Sequence, residues 1–125
     1  MTLWLFLAVA LAGGVGAALR FVVDGILRTK VPAGYPWPTT IINISGSLLL
    51  GFLTGIAADS VVPAGISLVL GAGFLGGYTT FSTASYESVQ LVRDRRYASA
   101  LGNGLGLAVA AVAVAWLGLW LGMSL

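Results

Sequence analysis

Glycine, hydroxyl and aromatic residues crowd together at positions 71–83, GAGFLGGYTTFST, inside a stretch otherwise apolar enough to cross a bilayer. A backbone in hydrocarbon has no water for its N–H and C=O groups. A poor helix interior at that depth survives only where protein buries it or where it lines a polar path. Freed carbonyls bind cations and freed amides attract anions, which is why interrupted helices hold the ion sites of transport proteins. Gly76 and Gly77, followed by Thr79, Thr80, Phe81, Ser82 and Thr83, disfavour an unbroken helix. The expectation is a broken helix that serves ion movement. Its hydroxyls can donate to an anion, and the positive edge of the Phe81 ring can touch a small anion without formal charge. Phe81 taken alone reads as ordinary core packing; the run as a whole does not.

A second polar feature lies upstream. Thr39, Asn43 and Ser47 are four apart, with Thr40 and Ser45 beside them, so they form a stripe on one helix face with an amide at its centre. Asn43 can donate to an anion from its NH2 group, or it can fasten two helices by a hydrogen bond. The stripe alone does not choose between these. Arg20, Asp24 and Arg28 form another i, i+4 ladder, read as two flanking ion pairs with snorkelling heads. An arginine this deep also makes an adjoining cavity electropositive. Glu87 lies near the same end of its own span, where snorkelling is the default.

The elements that must carry these residues are membrane helices. The 125-residue chain is 58% hydrophobic and 8% charged, with a mean hydropathy of +1.00. A soluble domain carries about a quarter charged residues. No Cys or His is present, and the only acids are Asp24, Asp59, Glu87 and Asp94, so no convergent acid, base and nucleophile can be assembled. An enzyme is excluded on those grounds. The formal charge of +2 sits in loops and gives no reason to expect a nucleic-acid partner. The all-α reading places four spans at about 3–27, 39–58, 63–92 and 97–123 in a single domain, each able to cross a core that needs about 20 apolar residues. The N-terminus, MTLW, lacks the basic stretch of a secretory signal, so the first span is expected to be retained.

Four spans put the first and third loops on one side, and both termini and the middle loop on the other. Arg28, Lys30, Arg93, Arg95 and Arg96 all fall on the first side, whereas the second has only Asp59. Cytoplasmic loops collect Lys and Arg, so both termini are expected outside the cytoplasm. Glycines recur at small-xxx-small spacing, Gly51/Gly55, Gly73/Gly77, Gly102/Gly106 and Gly118/Gly122, which lets helix backbones approach closely. Packing within one subunit is expected for Gly118/Gly122, and either that or packing on a second copy for the others.

Three blocks, GGVGAALR at 13–20, PTTIINISGS at 38–47 and GGYTTFST at 76–83, resemble the Fluc (CrcB) family of fluoride channels in order and along essentially the whole chain. The resemblance implies an antiparallel dual-topology dimer in the cell membrane, with two fluoride pores between the subunits. It implies a structural Na+ at the dimer centre, held by backbone carbonyls at the positions of Gly76 and Thr79. Carbonyl oxygens suit a hard cation, and a buried positive charge lowers the cost of dehydrating an anion. Asn43 matches the pore-lining amide, Phe81 the first of two phenylalanines that contact the ion, and Ser82 and Thr83 hydroxyls of the same element. Thr40, Ser47 and Asn103 are assigned to the same pore, and Arg20 and Glu87 match charged residues near its vestibule.

Two departures stand out. Ala84 occupies the position of the second phenylalanine, and Leu107 one that is often Ser. The one-sided Lys/Arg distribution is also unlike a chain that inserts both ways. Together they raise a second arrangement, in which the subunit pairs with an oppositely oriented paralogue and one pore is altered or silent. A small multidrug-type four-helix exporter would require a membrane-embedded acid, and here the first span offers only Asp24, flanked by arginines. A non-conducting scaffold would account for the glycines but not for the hydroxyl run.

Overall fold

A computed structural model describes residues 2–58 and 62–125, and all the regular structure among them is helical. Asp59 of the middle loop lies outside the described residues. Four stretches are long and apolar enough to span a membrane: Leu3–Arg28, Trp37–Ala57, Ala64–Arg93 and Tyr97–Met123. The shortest, at 21 residues, covers about 30 Å at 1.5 Å per residue, the thickness of a hydrocarbon core.

The first span is one helix, α1 (Leu3–Arg28), opened by Thr2, whose side chain accepts from the Leu5 N–H at 3.1 Å. The second, α2 (Trp37–Ala57), carries Pro38 in its first turn, where a missing N–H removes no helical bond. The third is composite: α3 (Ala64–Leu68), a π-wound stretch Val69–Leu75, α4 (Gly76–Tyr78) and α5 (Ser82–Arg93). The fourth is α6 (Tyr97–Leu101), a π-wound turn Gly102–Gly106 and α7 (Leu107–Met123). An Arg96 guanidinium N–H donates to the Gly34 carbonyl, which ties the first loop to the third at one end of the bundle.

The bundle is turned inside out relative to a water-soluble protein. Trp4, Phe6, Leu11, Phe21, Val112 and Trp116 all project outward, a distribution suited to lipid. The buried apolar core is small, built on Ile42, Leu75 and Tyr78 with Val23 and Phe74 packed against it.

With lipid outside, close backbone approach replaces the hydrophobic drive. On α2 and α7, a Cβ at Gly51 would stand 2.0 Å from the Ala115 carbonyl oxygen, and one at Gly118 would stand 2.3 Å from that of Leu48. Gly55 and Gly122 lie equally close to Leu119 and Phe52. Between α1 and the third span, a Cβ at Gly16 would fall 2.0 Å from the Phe74 oxygen, and one at Gly77 would fall 2.0 Å from that of Gly13. Gly51/Gly55 and Gly73/Gly77 therefore pack within the subunit, as Gly118/Gly122 do, while Gly102 faces the Tyr35 hydroxyl.

These contacts set up a paired test. Gly16→Ala should destabilise the protein by about 1–3 kcal/mol through overpacking against backbone. Gly14→Ala, where an added Cβ meets nothing within 4 Å, should be neutral or slightly stabilising in thermal melts followed by circular dichroism.

Candidate functional site

Helical winding in the third span stops after Tyr78 and resumes at Ser82, and Thr79 between them is extended at φ −79° and ψ 161°. Several of the freed polar groups find partners outside the regular helical ladder. The Thr79 N–H and Oγ1 both reach back to the Leu75 carbonyl at 3.0 Å. The Thr80 N–H, which a continued helix would give to Gly76, donates instead to Asn43 Oδ1 at 2.8 Å. In return, Asn43 Nδ2 donates to the Thr80 carbonyl at 2.9 Å. The side-chain amide thus pairs with a peptide group as a neighbouring strand would, and only one orientation of the amide satisfies both bonds. The Thr83 N–H, which would otherwise reach the Thr79 carbonyl, donates to Thr80 Oγ1 at 3.1 Å. Arg20 Nε donates to the Gly77 carbonyl at 3.2 Å. The carbonyls of Gly77 and Thr80 are thereby tied to other spans, while those of Gly76, Tyr78 and Thr79 have lost their helical donors.

Two cavities meet here. One, of about 300 Å³, is lined by Asn43, Ser47, Thr79, Thr80, Phe81, Ala84, Asn103 and Leu107. The other, of about 240 Å³, is lined by Arg20, Asp24, Thr39, Thr80 and Thr83. Thr80 belongs to both, so the Asn43–Thr80 clamp lies where a cavity bearing Arg20 and Asp24 adjoins one lined by hydroxyl, amide and apolar groups.

The residues singled out in the sequence separate accordingly. Asn43, Ser47, Thr79, Phe81 and Asn103 share one cavity, and Arg20 and Thr83 share the other. Phe81 is 86% exposed, so within one chain it is not a core residue. Gly76 and Ser82 are exposed as well. Thr40 lines neither cavity and donates to the Pro36 carbonyl in the first turn of α2. Glu87 also lies outside both, with a carboxylate oxygen 3.9 Å from an Arg28 guanidinium nitrogen.

Asn103 is 1% exposed and donates to the Ala84 carbonyl at 3.1 Å and to Ser88 Oγ at 3.0 Å. Both donors of its amide nitrogen brace the fourth span against the third. The ladder of two ion pairs on α1 is corrected. Asp24 pairs with Arg28 at 2.8 Å, and Arg20 turns to the Gly77 backbone. The sequence signal for that turn was the Gly76-Gly77 pair, since Gly77 packing on Gly13 brings the two spans within reach.

Among the described residues, no group of His, Cys, Asp or Glu is placed to hold a metal ion. The oxygens at hand are main-chain carbonyls and hydroxyls, the donor set of a hard cation.

A family model described as CrcB-like protein, Camphor Resistance (CrcB), matches residues 7–119, which takes in every residue of both cavities. The chain belongs to this CrcB-like family. It is 51% identical over 122 residues to a protein of Leifsonia xyli subsp. xyli named fluoride-specific ion channel FluC 1, covering 98% of this chain and 89% of the relative. It is 40% identical over 121 residues to fluoride-specific ion channel FluC 2 of Mycobacterium tuberculosis, covering 97% and 93%. A FluC 1 of Ligilactobacillus salivarius is 43% identical over 114 residues, covering 91% and 96%. These CrcB-like relatives are channels by name, and the chain is a multi-pass membrane protein and not an enzyme.

The clamp has a measurable worth. Asn43→Leu leaves the Thr80 N–H and carbonyl without their partner, and it should lower stability by about 1–3 kcal/mol. Thermal unfolding in detergent checks this, with a conservative change at an exposed site, Leu49→Ile, as the reference.

Proposed function

We propose that this chain is a fluoride-selective channel that lowers cytoplasmic fluoride by passive export. The observation that carries the reading is the Asn43–Thr80 clamp, which engages the interruption beside two cavities in a family whose relatives are named fluoride channels. Fluoride is small and strongly hydrated, so a path for it must replace water with donors. The second Nδ2 hydrogen of Asn43 is left over from the clamp, and the hydroxyls of Ser47, Thr80, Ser82 and Thr83 lie along the interruption. The Phe81 edge offers positive charge density with no ion pair to trap the anion. Fluoride entering as neutral HF dissociates inside, and the anion then leaves down its electrochemical gradient without a nucleotide site.

The exposed Gly76, Phe81 and Ser82 are polar-path candidates on an open face of one chain. A second subunit covering that face in antiparallel orientation completes the pore walls. The Gly76 and Thr79 carbonyls, free of helical donors, are suited to hold Na+ together with their counterparts from that subunit. The cation supplies a fixed positive charge beside the path. Arg20 and Glu87 are assigned to the mouth. Asn103 serves as a brace beside the pore, its donors being directed to Ala84 and Ser88.

The loop cations tied together by the Arg96–Gly34 bond share one face, which supports one insertion orientation with both termini outside the cytoplasm. That bias, with Ala84 and Leu107 on the cavity wall, favours a second reading of the assembly: a partner paralogue inserted the other way, this chain being the subunit of one altered pore. The exporter reading loses its acid, because Asp24 is already paired with Arg28.

Proteoliposomes containing this chain alone decide between the assemblies. Rapid fluoride efflux at an electrode supports the homodimer, and efflux only when a paralogue is co-reconstituted supports the pair. In whichever assembly conducts, Asn43→Asp should abolish efflux, since a carboxylate repels the anion and donates nothing. Phe81→Ile should slow efflux with the dimer intact, and unchanged flux in both variants would count against this pore. Preparation with Na+ replaced by a large organic cation should impair efflux. Full efflux without Na+ would remove the cation from the account.

A further inference from the structure

Arg20 departs from what its own helix offers. Asp24 lies one turn away, the usual partner for such an arginine, yet Asp24 is taken by Arg28 at 2.8 Å. Arg20 instead crosses to the third span and donates from Nε to the Gly77 carbonyl at 3.2 Å. That carbonyl is one the interruption frees. Its helical donor would be the N–H of Phe81, which lies beyond the end of α4. The reach depends on two glycines, because Gly77 lies so close to Gly13 that neither spans nor side chains intervene. On the far side of the interruption, Asn43 holds both polar groups of the Thr80 peptide. One span therefore anchors residue 77 and another anchors residue 80, with Tyr78 and the extended Thr79 between them.

We propose that Arg20 is a positioning residue of the ion path, which fixes the upstream edge of the interruption through its Nε–H on the Gly77 carbonyl. An extended residue such as Thr79 in a low-dielectric bundle tends to rewind, since helix closure satisfies backbone N–H groups locally. Anchors on both edges oppose rewinding. They also decide which carbonyls stay available, by engaging those of Gly77 and Thr80 and leaving those of Gly76, Tyr78 and Thr79. The inference rests on the reading of the interruption as part of a fluoride path, but the position of the anchor can be tested apart from conduction.

Arg20→Lys separates positioning from charge. Lysine keeps the positive charge but puts a methylene where Nε stood, so a role as a simple electropositive wall survives and the anchor does not. Hydrogen exchange in lipid nanodiscs, read by mass spectrometry on peptides covering residues 76–83, should be faster in the variant. Fluoride efflux should fall roughly tenfold, with helical content and elution volume unchanged. Wild-type exchange in the lysine variant overturns the proposal whatever happens to efflux, since the interruption then holds without the Arg20 Nε–H. If the unaltered chain moves no fluoride, alone or with a paralogue, the functional reading fails while the exchange comparison still decides the anchor. Should the lysine variant not fold, 15N spectra of the unaltered protein carry the test. The Arg20 Nε–H should exchange with water far more slowly than those of the exposed Arg93 and Arg95, and equal rates would overturn the proposal.

Discussion

Every backbone polar group in a bilayer must find a partner inside the protein, and the pairing of the Asn43 amide with the Thr80 peptide is where this chain meets that constraint in an unusual way. Without it, the Thr80 N–H has one good acceptor within reach along the chain, the Gly76 carbonyl, and the span would wind straight through. With it, helical winding stops between Tyr78 and Ser82, and the carbonyls of Gly76, Tyr78 and Thr79 lose their helical donors beside the two cavities that share Thr80. A single side-chain amide suffices because it carries the same donor and acceptor as a peptide group.

The rest of the bundle supports that arrangement. Glycine seams bring α1 against the third span and α2 against α7, so the spans around the interruption are held by backbone contact and not by bulky side chains. Close approach lets Arg20 reach across. The π-wound stretches Val69–Leu75 and Gly102–Gly106 stand next to the interruption and to Asn103. Such windings occur often at functional sites, because they shift side chains out of the regular helical register. Asn103 then locks α5 to the fourth span across the cavity it shares with Asn43.

Composition and hydrophobic runs were enough to read the four membrane helices, because lipid imposes length and apolarity locally. The polar stripe and the hydroxyl run were legible for the same reason: such residues are out of place in hydrocarbon. Their partners were not. Asn43 was open to two roles, an anion donor or an interhelical fastener. The structure gives it the second, pairing both Nδ2 and Oδ1 with the Thr80 peptide. Arg20 was assigned to Asp24 by i, i+4 spacing, which knows nothing of the neighbouring span. Phe81 taken alone read as core, yet it lies on the open face of the single chain. In each case the sequence sets what a residue can do, and tertiary proximity selects what it does.

The account turns on whether the third span is held open at Thr79 by the amide of Asn43. A density map of the protein in lipid nanodiscs, at a resolution that separates peptide carbonyls, tests this most directly. The account predicts a break in helical density over residues 79–81, with the Asn43 side chain joined to the Thr80 peptide. Continuous helical density through those residues, with Asn43 turned toward another partner, would contradict it.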